Sequence, residues 1–315
     1  MNKPLVSVII PCYNAEKYVE EAIRSIMTQT YSNLEIIVTD DCSSDNTLMI
    51  LETLAAEDSR IKVIKNEKNL KIVKSLNNMI GIAQGKYIAR MDADDISLPE
   101  RIEKQVSFLE SNPEYGLCGT NAWHIDESGK KIGKRYLPEK NEDIKFFISF
   151  YSPIYHPSVF SKAEVLKQNL YSEDFPIAED YELWFRLLFE KKVKFYNIQK
   201  FLLKYRITPT QSSKTSIERQ IESSRKILEI YNTVHKEVLE SHLNLMFNSS
   251  ALLGIEDINF ATKIFKEIGK QKYIYSYYVF MKIIYKFLKS KEYFFCIKSC
   301  LSPLGFYCCI KKLFG

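Results

Sequence analysis

Runs that are apolar at most consecutive positions, not at alternate ones, open this chain. "LVSVII" (5–10) and "LEIIVT" (34–39) are of this kind, and such runs mark strands buried on both faces. The first run stops at Pro11. Val19, Ile23, Ile26 and Met27 then recur at helical spacing, with Asn14 placed to cap that helix. The second run ends in "DDCSSDNT", where Ser44 or Asp45 can cap a helix carrying Leu48, Leu51 and Leu54. "IKVIK" (61–65) predicts a third strand, 70–84 a helix, and "KYIARM" (86–91) a fourth strand. Strands alternating with helices predict an α/β fold around a parallel sheet. Ligands of such sheets bind beyond the carboxyl ends of the strands. Here those ends read "PCYN", "DDCSSD" and "DADD", which would converge on one acidic, hydroxyl-rich pocket.

The rhythm then loosens. A helix is expected over 98–113. Two strands, "GLCGTNAWHID" and "KIGKRYL", are joined by a turn at Asp126–Gly129. A short strand running into a helix follows over 156–168, another helix over 178–192, and two short strands over 193–206. From about 215 the pattern is helical to the end. There are no repeats and no low-complexity segment. The pattern divides the chain into an α/β part up to about 210 and a helical region over 211–315.

Composition adds little for the first part and more for the last. With 46% hydrophobic and 26% charged residues in 315, the chain reads as an ordinary globular protein. Its net charge is +5, yet 271–315 alone holds eight Lys and one Glu. There Lys282, Lys286 and Lys289 would share one helical face, with Tyr and Phe elsewhere. That suits an interfacial helix on an anionic membrane; the alternative is a bundle packed on the rest of the protein. Nucleic acid fits poorly, because the lysines stand among bulky apolar residues. Seven cysteines without CxxC spacing suggest reduced thiols in the cytoplasm. The N-terminal apolar run is too short for a signal peptide, and no run suits a membrane span. GxxxxGK[ST] and GxGxxG are both absent.

The chemistry concentrates in "YIARMDADDIS" (87–97). Asp92, Asp94 and Asp95 crowd together directly after a strand, preceded by Arg90. Like charges so close repel and resist desolvation. A hard divalent cation, Mg²⁺ or Mn²⁺, would relieve this and bind a substrate's phosphates. The alternative is that one Asp caps the next helix while the others stay solvated.

Five stretches in order, "VSVIIPCYN", "IIVTDDCSSDNT", "NLKIVKSLNNMIGIAQGKYIARMDADDISLPERIEKQ", "HPSVF" and "AEDYELWFRL", resemble the family 2 glycosyltransferases of GT-A fold over about residues 5–207. The resemblance implies a GT-A catalytic domain over 1–210: a mixed, helix-flanked sheet with a nucleotide-binding half over 1–98 and an acceptor-binding half over 99–210. It implies inverting transfer of a sugar from a nucleotide-sugar, UDP-linked foremost, to a hydroxyl of a glycan or lipid-linked acceptor in capsule, lipopolysaccharide or exopolysaccharide synthesis. By this resemblance Pro11, Tyr13, Asn14 and Asp41 border the nucleotide. Asp92 approaches the ribose or a metal-bound water, Asp94 ligates the cation, and Lys74 is a candidate phosphate contact. Asp180 matches the catalytic base; Glu179, His156 and Arg206 are candidate donor or acceptor contacts, Arg206 being otherwise solvated. The family often has Gly where this chain has Lys71, a strained exchange if φ there is positive. The processive Q-x-x-R-W motif is absent, so single addition is expected, in the cytoplasm or at the inner membrane face. Other readings are a nucleotidyltransferase or a non-catalytic membrane scaffold.

Overall fold

The computed structural model describes residues 3–148, 151–208 and 217–231. Strands and helices alternate first: β1 (Val6–Cys12), α1 (Val19–Met27), β2 (Leu34–Asp40), α2 (Thr47–Glu57), β3 (Ile61–Lys65), α3 (Lys71–Ile82) and β4 (Tyr87–Arg90). Then come β5 (Ile96–Ser97), α4 (Arg101–Ser111), β6 (Tyr115–Ile125), β7 (Lys131–Arg135) and α5 (Asn141–Phe147). A 3₁₀ turn at His156–Ser158 leads into β8 (Phe160–Lys162) and α6 (Ala163–Gln168). α7 (Glu179–Phe185) continues as a π-helical turn, Arg186–Glu190, before β9 (Lys194–Arg206) and α8 (Ile217–Tyr231).

One mixed sheet runs β3-β2-β1-β4-β8-β6-β9-β5, and β7 pairs with β6 beyond the stretch that meets β8. Its β3-β2-β1-β4 half is parallel, and β4 pairs antiparallel with β8. Every residue of β2 and β4 is buried. The sheet thus has helices on both faces, as continuous apolar runs require. Val8, Ile10, Ile36 and Val38 meet Ile23 and Ile26 of α1 in the main core. Gly85 lets β4 enter beside β1: a Cβ there would stand 2.6 Å from the Ser7 backbone nitrogen.

Several expectations are corrected. β1 runs through Pro11 to Cys12. Beyond Ile9 it pairs only with β2, so on its other side Pro11 has no ladder bond to lose. Asn14 does not cap α1, which begins at Val19 behind Tyr18. Residues 194–206 form one strand, not two. Gln199 and Lys200 bulge between Ile198 and Phe201, and pairing with β6 resumes beyond them. β5 and α5 were not anticipated; a two-residue strand leaves no periodic signal. α8 packs on α7, with Tyr231 stacked on Phe185 at 5.4 Å and its hydroxyl donating to Glu182 at 3.1 Å. The basic segment 271–315 lies outside the described residues, and among them no helix is long and apolar enough to cross a membrane.

Candidate functional site

β4 is buried throughout and delivers Arg90 to the carboxyl edge of the sheet. Just beyond, carboxylate oxygens of Asp92, Asp94 and Asp95 lie within 4.8 Å of one another. Asp92 and Asp94 are half-buried and Asp95 fully buried. Burial, then the charge of Asp92, pushes Asp94 up to about 6. Burial and then Asp94 push Asp95 well above the carboxylate range. One oxygen of Asp95 accepts the Arg206 backbone N–H at 2.8 Å, and the other is buried without a hydrogen bond. Hard oxygen donors strained by repulsion and desolvation are the donor set that a divalent cation takes, so these residues fit one.

Arg90 is 3% exposed and pairs with Asp92 at 2.5 Å. Its backbone carbonyl accepts from buried Arg101 at 2.7 Å. Burial brings the Arg101 guanidinium down to about 10, so Arg101 remains charged. The positive charge of Arg90 is felt by Asp94, Asp95, His156, Tyr171, Glu179 and Asp180. Sequence reasoning passed over this central role. A lone cation ending the apolar run "YIAR" was the available signal.

Glu179 and Asp180 open α7. Asp180 accepts its neighbour's N–H, that of Tyr181, at 2.7 Å. Burial, then the charge of Asp180, pushes Glu179 up to about 8. Burial likewise raises Asp180, against the pull of the Tyr181 N–H and Arg90. His156, in the 3₁₀ turn, is hydrogen-bonded to the Tyr171 hydroxyl at 2.7 Å, with Nδ1 3.9 Å from Glu179. Burial, then Arg90, drives its pKa well below the ordinary value, so the ring is neutral.

Glu179 sets a pH dependence. Its folded pKa stands above the ordinary 4.5. The folded protein therefore keeps a proton that the unfolded chain gives up. This contribution to stability is full below about pH 4.5 and is lost as pH rises through about 8. Asp180, Asp92, Arg90 and neutral His156 are the groups it faces. The unfolding free energy of ligand-free protein, read from urea titrations, should fall within that window by up to about 1.4 kcal/mol per pH unit. A midpoint that rises there would contradict the assignment.

The predicted nucleotide contacts sit on two loops. Tyr13 is 53% exposed and Pro11 half-buried. Asn14, at φ 47, ties the loops together: its N–H donates to Ser43 at 3.0 Å, and its side chain accepts from the Ser44 N–H at 2.9 Å. Asp41 accepts from Asn66 at 2.7 Å and from the Leu70 and Lys71 N–H groups at 2.8 and 2.9 Å, fixing the entry to α3. Lys71 has φ 69, the left-handed value that a glycine would take without strain. Lys71→Gly should therefore raise stability by about 0.5–1 kcal/mol, the relief of strain less the entropy of glycine, read from the urea midpoint. Lys74 is exposed and pairs with Glu173 at 3.3 Å.

Arg206 is neither solvated nor free for a diphosphate. It is 1% exposed. Nε donates to the Asp94 carbonyl at 2.7 Å, Nη1 to the carbonyls of Asp126 and Glu127 at 3.1 and 3.2 Å, and Nη2 to Glu21 at 2.6 Å. It clamps the carboxylate loop to the end of β9 and to the β6–β7 turn. Trp123 is half-buried against Phe201 at 4.7 Å.

The mixed sheet and the acidic loop after β4 define a GT-A type glycosyltransferase. Residues 7–168 match the family model "Glycosyl transferase family 2". An uncharacterized glycosyltransferase of Haemophilus influenzae is 38% identical over 87% of this chain and 87% of its own length. The Escherichia coli protein WfgD, named UDP-Glc:alpha-D-GlcNAc-diphosphoundecaprenol beta-1,3-glucosyltransferase, is 32% identical over 68% of this chain and 81% of its own. Among solved structures, the Pyrobaculum calidifontis mannosyltransferase PcManGT, in complex with GDP-Man and Mn²⁺, superposes with a TM-score of 0.58 at 16% identity, covering 93% of this chain and 89% of that one. The chain belongs to glycosyltransferase family 2.

Proposed function

We propose that this glycosyltransferase moves a sugar from a nucleoside diphosphate donor, UDP-linked foremost, to a hydroxyl of a glycan or lipid-linked acceptor, with inversion. The product would enter a cell-surface polysaccharide, made in the cytoplasm or at the inner face of the membrane. The observation carrying this reading is one electrostatic unit built around Arg90, with the Asp92–Asp95 cluster and the Glu179–Asp180 pair both in its field. The named donor and lipid-linked acceptor of WfgD, and the Mn²⁺ bound by PcManGT, support it by likeness.

Asp94 and Asp92 would hold Mn²⁺ or Mg²⁺. When bound, the cation supplies charge stabilisation to the leaving diphosphate. Tyr13 would stack on the base, and Pro11, Asn14 and Asp41 border the nucleotide. Lys74 would have to leave Glu173 to reach a phosphate. Near neutral pH Glu179 retains its proton, so Asp180 is the member of the pair left to act as base. It takes the proton of the acceptor hydroxyl as that oxygen attacks the anomeric carbon from the face opposite the nucleotide. One C–O bond forms, the bond to the diphosphate oxygen breaks, and the nucleoside diphosphate departs. Neutral His156 would orient Glu179 or contact a sugar hydroxyl. A thermal-shift panel of nucleotide-sugars with Mn²⁺ tests the reading, because a bound ligand raises the melting temperature. A panel without any shift would count against it.

A further inference from the structure

The β6–β7 hairpin and the adjoining part of β9 carry a feature that sugar transfer does not use. Residues 130–136 read "KKIGKRY", with four cations and no acid. Ile132 and Tyr136 are 55% and 46% exposed. Trp123 packs on Phe201 at 4.7 Å, and Phe201 on Tyr136 at 5.0 Å. Lys131 lies over the Trp123 ring at 4.1 Å, and Lys134 over Tyr136 at 5.3 Å. Lys134 and Lys204 stand opposite Trp123 on either neighbouring strand. Among the described residues, no carboxylate lies within ion-pair distance of Lys131, Lys134 or Lys204.

We propose that this face docks the protein on an anionic lipid surface. Aromatic rings with an apolar body favour the headgroup boundary. Lysines laid along them can bury their stems while their ammonium groups meet lipid phosphates. The charge is complementary to such a surface, and nothing acidic on the hairpin strand opposes it. A glycan partner fits less well, since the Trp123 ring already carries Lys131 and Phe201. The placement also suits the chemistry. Arg206 joins the hairpin turn, through the Asp126 and Glu127 carbonyls, to the backbone of Asp94. A lipid-borne acceptor would thus be presented beside the carboxylate loop; that clause rests on the proposed function, whereas the docking does not.

The chain has two tryptophans. Trp184 is 0% exposed, so contact quenching by lipid reports on Trp123. Full-length protein is mixed with vesicles of bromine-labelled phosphatidylglycerol or bromine-labelled phosphatidylcholine, and sedimentation is measured in parallel. Quenching is expected with the anionic lipid alone, weakening as salt is raised. The double variant Lys131→Glu/Lys134→Glu, checked for an unchanged melting temperature, should need roughly tenfold more lipid for half quenching. Sedimentation without Trp123 quenching would assign binding to another segment and overturn the proposal. So would an absence of binding, quenching unaltered in the double variant, or equal protection by a soluble acidic polysaccharide. Calorimetric binding of nucleotide, run on the same samples, reports on the transferase reading separately.

Discussion

Asp180→Asn is expected to lower sugar transfer about 10³-fold, the loss that follows removal of a positioned general base. The substitution is nearly isosteric. Its amide oxygen can still accept the Tyr181 N–H that Asp180 holds at 2.7 Å, so the start of α7 should persist. Donor binding should stay within about twofold of the native protein, because the proposed nucleotide contacts sit on the β1, β2 and β4 loops. The charge of Asp180 is also the second cause of the raised Glu179 pKa, after burial. The variant should therefore titrate Glu179 at lower pH and lose part of the pH-dependent destabilisation. The check is a transfer assay with whichever donor the thermal-shift panel selects, alongside calorimetric binding of that donor. Undiminished transfer by Asp180→Asn would remove Asp180 as the base.

Arg90→Met should be the most destabilising of the substitutions considered, by about 3 kcal/mol near pH 8. Arg90 is buried and pairs with Asp92 at 2.5 Å. Its charge also favours the ionised forms of Asp94, Glu179 and Asp180. Removing it leaves several carboxylates repelling one another in a desolvated site. The loss should shrink toward pH 5, where protons can replace the missing cation. Lost packing alone would give the same deficit at both pH values, so urea midpoints at the two separate the explanations. Arg90→Lys should recover part of the stability, since it keeps the charge without the planar fork.

The parallel half of the sheet was legible because β1 and β2 are apolar at most positions on both faces, a pattern that burial on both faces demands. The strain at Lys71 could be foreseen only as a condition, from the glycine that the resemblance often places there, and φ 69 meets that condition. Asp92 and Asp94 could be read as a cluster from their spacing alone. That Asp180 faces them came only through the family resemblance. The chain runs through β5, α4, β6, β7, α5, β8 and α6 between the two, and no local pattern encodes that approach. Arg206 was misread for the same reason. Its four partners come from Glu21, the Asp94 loop and the β6–β7 turn, all distant in sequence, so its burial is a property of the assembled sheet. Asn14 was misread differently: its amide joins two loops, where local reasoning offers only the nearest helix.

The carboxylates after β4 are proposed to bind a cation together with a nucleoside diphosphate. Calorimetric titration of UDP into the native protein and into Asp94→Asn, each with and without Mn²⁺, tests that claim directly. Binding to native protein should require Mn²⁺ and weaken at least tenfold in Asp94→Asn, a loss of about 1.4 kcal/mol or more. Equal affinity with and without the cation, or in both proteins, would contradict it.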